Sequence, residues 1–257
     1  MDEMTYVSPT GSVIDLVKPG DWSRRVAYGG VSGLVGTKQA VTVSAVGAPG
    51  QTPMGFRTTE MKGSLTLLVV DDGPEGSLDE LVSELGREFR PDAYGTLWLS
   101  RPFGRASAKV RLDGPIAPPK SFWDSGDADV EVEIPLICDE GLWSGQAVTS
   151  TGSVTVTNSG DEFLWPRITW DKASIVNLPS GVTVKLPAPA SGRVSLSTNP
   201  FTSHEVLRRD GSVDRDLSEK TATLLLGEGV PQGASRTYLL GEGAALEWSL
   251  QYLNPWR

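Results

Sequence analysis

GSVTVTNSGDEFLWPRITW, residues 152–170, decides how the second half of the chain is read. Residues 153–157 alternate polar and apolar side chains, as a strand with one wet and one dry face does. Asn158-Ser159-Gly160-Asp161 follows, a cluster that tolerates tight-turn backbone angles and predicts a four- or five-residue loop. Residues 163–170 then resume as an extended run containing Trp165 and Trp170. Pro166 has no N–H to give to a ladder, so this run reads as the edge of a sheet, or as bulged there. The stretch is therefore a Trp-Pro hairpin, and nothing in it is catalytic.

Outward from it toward the C-terminus, no helical pattern occurs. Strands are expected at 173–177, 182–186, 192–197, 204–208, 222–226, 235–240 and 244–252, separated by short turns as in an antiparallel sandwich. In the last of these, Leu246, Trp248, Leu250 and Tyr252 alternate with Glu247, Ser249 and Gln251, which places it inside a sheet.

Toward the N-terminus, Gly141 to Gly145 (GLWSG) reads as a domain boundary and residues 146–152 as a short polar linker. The expected division is thus 1–145, a half-barrel of strands with a single α-helix laid across it, and 146–257, an antiparallel β-sandwich. In the first part, residues 4–17 read as two strands about a Ser-Pro-Thr-Gly turn (8–11). Residues 37–45 alternate clearly and are closed by Ala48-Pro49-Gly50. Between them, Gly29, Gly30, Gly33 and Gly36 lack dinucleotide-fingerprint spacing and no helix follows, so a flexible surface loop is expected, suited to ordering on assembly. Residues 62–70 form the most apolar strand. The one helix runs over 77–89, where Leu78, Leu81, Val82, Leu85 and Phe89 make an apolar stripe. Ser77 with Glu80 makes a capping box, and Pro91 stops the helix. Strands follow at 95–101 and 106–112, then a proline corner at 114–119, then a strand at 129–137 with Val130, Val132 and Ile134 on one face.

Composition narrows the function classes. Hydrophobic content of 39% and charged content of 21% describe a folded, soluble chain. Gly 29 and Pro 18 make about 18% of the 257 residues against a usual figure of roughly 12%, which many short elements joined by turns would produce. A net charge of −9 disfavours nucleic-acid phosphates and anionic membrane surfaces as partners. No apolar run reaches the 18 or so residues that a membrane-spanning helix needs. MDEMTYVSPTG has neither a basic region nor an apolar core, so no signal peptide is read and folding is expected in the cytoplasm.

The residues that could carry chemistry are few. His204, the only histidine, stands in Thr-Ser-His-Glu without a Gly-x-Ser-x-Gly elbow, and reads as a surface or strand histidine. One histidine and one cysteine cannot build an ordinary zinc site. Cys138 reads as a small packed residue. Asp71, Asp72 and Glu75 lack the alternation of a calcium loop, and acids before a helix are expected from its dipole. Neither a catalytic set nor a cofactor is expected. The eight tryptophans (Trp22, Trp98, Trp123, Trp143, Trp165, Trp170, Trp248, Trp256) could include a few that stack on sugars or partners, most being core.

The second half also has an order that resembles a known family. Asn158-Ser-Gly-Asp161 precedes Trp165-Pro166-Arg-Ile168. Gly192-Arg-Val-Ser-Leu-Ser-Thr-Asn-Pro200 precedes Val206-Leu-Arg-Arg-Asp-Gly211, and Pro255-Trp256 closes the chain. This resembles the distal tail (minor tail) proteins of long-tailed, non-contractile bacteriophages, particularly those of actinobacterial hosts. The resemblance implies an N-terminal partly open β-barrel with a helix followed by a galectin-like β-sandwich. It implies a non-enzymatic virion protein of the tail tip, forming a hexameric ring between the tail tube and the tail-tip proteins, with 1–145 building the ring. It implies no catalytic residues. The alternative is a carbohydrate-binding module of a host-adsorption device, whose partner would be a cell-wall glycan.

Overall fold

The computed structural model describes residues 3–17, 24–44, 46–47, 49–70, 78–102, 104–118, 129–224 and 227–256. The chain is mainly β, built from antiparallel sheets, none of which closes into a barrel. It divides into two compact units, residues 1–145 with 252–257, and residues 146–251. The return of 252–257 to the first unit departs from the expected boundary, which carried the second part through to 257.

In the first unit the strands are β1 (Glu3–Val7), β2 (Val13–Val17), β3 (Arg24–Gly33), β4 (Lys38–Val43), β5 (Thr52–Thr58) and β6 (Met61–Val70). Helix α1 (Leu78–Glu88) follows, then β7 (Gly95–Arg101), β8 (Gly104–Leu112), β9 (Asp129–Cys138) and the short β10 (Trp143–Gly145). A sheet runs in the order β2-β1-β7-β8-β9-β6-β3. Its strands bury every second residue: Leu65, Leu67 and Val69 on β6, Leu97 and Leu99 on β7, Val130, Val132 and Ile134 on β9. That period of two is why the alternating runs were legible. Against this core, α1 lays Leu81 and Leu85, with Phe89 just beyond it, and Leu78 and Val82 pack at the margin. Tyr6 stacks on Phe89 with ring centroids 4.0 Å apart, and its hydroxyl donates to the Glu88 carbonyl at 3.1 Å. A Cβ at Gly95 would lie 2.2 Å from that hydroxyl, so only glycine admits the tyrosine. The expected cap at Ser77 and the acidic turn with Asp71, Asp72 and Glu75 lie outside the described residues.

The glycine-rich run is not a free loop. Residues 24–33 form β3, hydrogen-bonded along β6, with the register jumping between Val26↔Leu67 and Val31↔Leu65. Gly29 at φ +72° turns the bulge, and a Cβ on Gly30 would sit 2.6 Å from the Thr66 carbonyl oxygen. The glycines serve close approach of two backbones within a sheet.

The second unit holds β11 (Val148–Ser150), β12 (Ser153–Thr157), β13 (Arg167–Trp170), β14 (Ser174–Asn177), β15 (Thr183–Leu186), β16 (Val194–Ser197) and β17 (Leu207–Arg208). Helix α2 (Arg215–Thr221), β18 (Ser235–Leu240) and β19 (Ala244–Trp248) follow, and the two-residue β20 (Gln251–Tyr252) stands where the chain passes back to the first unit. One sheet runs β11-β19-β13-β16-β17, the other β12-β18-β14-β15. Their inner faces share one core, with Val154, Val176, Val184 and Tyr238 from one sheet and Ile168, Trp170, Leu196 and Leu246 from the other.

Four expectations are corrected here. The stretch 152–170 is not a hairpin: β12 pairs with β18 in one sheet, while β13 lies between β16 and β19 in the other. Nor is the Trp-Pro strand an edge, because Pro166 precedes β13 and its carbonyl accepts from Thr198 N at 3.1 Å and Thr198 Oγ1 at 2.6 Å. Asn158 makes the crossing. Its Nδ2 donates to the carbonyls of Glu162 and Val230, both at 2.8 Å, and its Oδ1 accepts from Gly160 N at 3.0 Å. Third, a second helix exists where none was expected. Asp214 caps α2 by accepting from Leu217 N, and Ala222, expected to open a strand at 222–226, is instead the helix C-cap. Fourth, of the strand expected at 204–208 only Leu207–Arg208 forms.

Buried Tyr238 supplies a pH test. Its hydroxyl donates to the Glu228 carbonyl at 2.8 Å, and burial above all pushes its pKa up to about 12. Tyr6 is raised likewise, by burial and the Glu88 charge. A raised folded-state pKa means that the neutral form is favoured in the fold. Its stabilisation is complete below the unfolded value near pH 10 and is lost as pH climbs through about 12. Thermal melts followed across this range are expected to fall more steeply for the native protein than for Tyr238→Phe. Parallel curves would mean that this hydroxyl does not couple folding to pH.

Candidate functional site

No catalytic constellation assembles from the residues singled out in the sequence. His204 is exposed, beside a hydrogen bond of 2.9 Å from Ser203 Oγ to Glu205. Cys138 is fully buried, its sulfur 3.7 Å from the Leu142 carbonyl oxygen, and burial pushes its thiol pKa up, as suits a packed residue rather than a nucleophile. Among the described residues no group of three or more His, Cys, Asp or Glu side chains is placed to hold a metal ion. The strongest polar cluster is Asp139, gripped by both arms of Arg111 at 2.7 and 2.8 Å and by the Tyr94 hydroxyl at 2.6 Å. Arg111 first, then Tyr94, holds the carboxyl below its usual range. This network is an exposed clamp between β8 and the end of β9, and its surface position limits its worth.

What the first unit does carry is an exposed hairpin that joins no larger sheet among the described residues. β4 and β5 form a two-stranded sheet of their own. Every residue of β4 is exposed, and on β5 Met54 and Phe56 are 70% and 69% exposed. Met54 stands at the register shift without a cross-strand partner, and Ala40 stands opposite Phe56 on the neighbouring strand. Arg57 donates to Gln39 Oε1 at 3.2 and 2.8 Å across the pair, and Thr59 N donates to Thr37 O at 3.1 Å at its base. The register shifts between Val41 and Thr42, where Pro53 faces Thr42 without an N–H to contribute. A lone two-stranded ribbon is marginal in water, and among the described residues no third strand pairs with either of its edges. Strand β4 was expected from its alternation, but β5 was not, since Pro53 and Gly55 interrupt the run and neither face is buried.

The described tryptophans divide as follows. Trp143 and Trp170 are fully buried, whereas Trp98, Trp165, Trp248 and Trp256 are half-buried; Trp22 and Trp123 lie outside the described residues. The Arg105 guanidinium covers the Trp98 ring at 4.1 Å. Trp165 lies in an aromatic patch on the second unit, 4.5 Å from Phe163 and edge-on at 6.1 Å to Phe201, which is 87% exposed.

No protein-family model matches the sequence, and no curated protein does. Among solved structures the chain is similar to the Dit protein (gp 19.1) of phage SPP1, described as a paradigm of the hub adsorption apparatus in phages that infect Gram-positive bacteria. The two are 15% identical, the match covers 98% of this chain and 99% of that one, and the TM-score is 0.65. It is also similar to a chain of the phage P2 baseplate in its activated conformation with calcium, at 9% identity, with 97% and 98% covered and a TM-score of 0.52. At such identities the likeness is one of fold, and it runs through both units.

Proposed function

We propose that this protein is a structural subunit of a bacteriophage tail tip, made to be joined to further copies of itself and to neighbouring tail proteins rather than to turn over a substrate. The observation that carries the reading is the β4–β5 hairpin, which exposes Val41, Val43, Met54 and Phe56 and joins no larger sheet among the described residues. The fold likeness to the SPP1 hub protein and to the P2 baseplate chain supports the same reading. Copies related by rotation close into a ring when each carries two complementary patches, and the hairpin supplies one of them. The resemblance of residues 152–257 to the distal tail proteins of long-tailed actinobacteriophages implies that such a ring would be a hexamer joining the tail tube to the tail-tip proteins. Residues 1–145 would form it, and the protein would be made and assembled in the host cytoplasm before becoming part of the virion. The glycan-binding alternative would use the Phe163–Trp165–Phe201 patch; it gives the hairpin no task and stands second.

Light scattering behind size-exclusion, with negative-stain images, tests this on the full chain. A ring with a central channel is expected. The double substitution Met54→Ser and Phe56→Ser removes exposed side chains that the monomer does not need, so folding is expected to persist while association weakens at least about tenfold, as for an interface hot spot. A native protein that stays monomeric at high concentration, or a double variant that assembles as well as the native one, would overturn the proposal.

A further inference from the structure

We infer that the outer face of the five-stranded sheet holds a binding groove for a small oxyanion-bearing ligand, a phosphate or a carboxylate. This inference is independent of the assembly reading, since the ring can form with the groove filled or empty. Along β13, Ile168 and Trp170 point into the core, so Arg167 and Thr169 face the other way. Strand β16 sets Ser195 opposite Thr169, β19 sets Glu247 opposite Arg167, and β17 sets Leu207 opposite Ser195. A cavity of about 400 Å³ lies over this face, lined by Arg167, Thr169, Arg193, Ser195, Arg208 and Arg209, with Glu247 as the acid in its wall. That volume suits a small ligand.

Two features make it more than a run of surface arginines. The first is a buttress. Arg193 Nη2 donates to Asp171 at 2.8 Å, and Arg208 donates from Nε and Nη2 to one oxygen of Asp214, the cap of α2, at 3.2 and 3.0 Å. Those two guanidinium groups are held in place, while Arg167 and Arg209 make no ion pair with any described residue. With Asp171 and Asp214 paired to Arg193 and Arg208 and Glu247 in the wall, four arginines face three carboxylates, which leaves one local positive charge on a chain of net charge −9. The guanidinium fork matches two oxygens of a phosphate or carboxylate, which a neutral ligand does not offer.

The second feature is Thr169, only 6% exposed, whose hydroxyl finds no hydrogen-bond partner among the described residues. Buried polar groups are ordinarily paired, and an unpaired one at the floor of an arginine-lined groove points to a partner that arrives with a ligand. Arg167, exposed and in no ion pair with a described residue, is the lining side chain that can move aside to give an oxyanion access to that hydroxyl.

Calorimetric titration of the full chain at constant ionic strength tests the inference, with inorganic phosphate as one probe and glucuronate as the other. Saturable binding of at least one is expected. Phosphate alone would assign the groove to a phosphate-bearing ligand, glucuronate alone to a carboxylate-bearing one. Arg167→Gln is expected to weaken binding about tenfold or more, whereas Arg105→Gln, in the first unit, leaves it unchanged. Thr169→Val is expected to weaken binding severalfold while the melting temperature without probe stays level or rises, because an orphaned hydroxyl has been removed. Absence of saturation with both probes, equal binding by Arg167→Gln and the native protein, or a lower melting temperature for Thr169→Val would each overturn it.

Discussion

Trp143→Ala is expected to cost the first unit about 4–5 kcal/mol, the upper end of what removing a large buried side chain costs. The ring is fully buried in the larger core, and its Nε1–H donates to the Leu34 carbonyl at 2.9 Å. Leu34 is itself buried with φ +53°, a left-handed backbone that only well-made surroundings sustain. Alanine would thus leave a cavity, orphan a buried carbonyl and withdraw support from a strained residue. The edge-on contact with Trp256, at 6.1 Å between centroids, would be lost as well. Trp143→Phe narrows these contributions: most of the ring volume remains while the Nε1–H donor and part of the indole go, so about 2–3 kcal/mol is expected. Urea unfolding read by far-ultraviolet dichroism checks both. A loss under about 2 kcal/mol for the alanine variant would mean that the core refills the space.

The second large effect belongs to Asn158. This residue is fully buried, and three hydrogen bonds from one side chain tie the crossing between the sheets to carbonyls 4 and 72 residues away. Alanine there would take a donor from the carbonyls of Glu162 and Val230, the latter keeping Leu164 N, and leave Gly160 N without Oδ1, so about 2–4 kcal/mol of the second unit's stability is expected to go. Asn158→Asp is expected to be worse at neutral pH, because an oxygen replaces Nδ2 against two carbonyl oxygens. The sign follows from that contact. Repulsion disfavours the charged carboxylate in the fold and raises its pKa, so the aspartate variant should be most stable below the unfolded value near pH 4 and weaken as pH rises. An aspartate variant whose unfolding midpoint does not change between pH 3 and pH 7 would sink this account of the corner.

These two residues also mark where sequence reading succeeds and where it stops. Strands such as β6, β7, β9 and β18 were legible because each buries alternate side chains, a pattern written into neighbouring letters. The stripe of α1 was legible for the same reason at helical spacing. Pairing is different. Whether residues 153–157 and 167–170 meet each other or part into separate sheets depends on the bonds Asn158 makes with Val230, far along the chain. Helix α2 has seven residues, of which Leu217 and Thr221 are buried, too few for a period to show. The glycines of β3 looked like a loop because their use, close contact with β6, lies in the partner strand. The hairpin was half-read because a ribbon buried on neither face has no wet–dry contrast. The arginine groove drew no notice for a similar reason: its four arginines come from three separate segments and converge only when β13, β16 and β17 align.

The last described residues carry a consequence for the order in which the molecule matures. Leu253 O accepts from Gly36 N at 2.7 Å, Pro255 O accepts from Arg101 at 3.0 Å, and Trp256 meets Trp143. The first unit therefore receives these contacts only once residues 252–256 have been synthesised. A nascent chain halted anywhere in the sandwich would hold a first unit that lacks them, and assembly-competent protein would accumulate only after synthesis had passed residue 256.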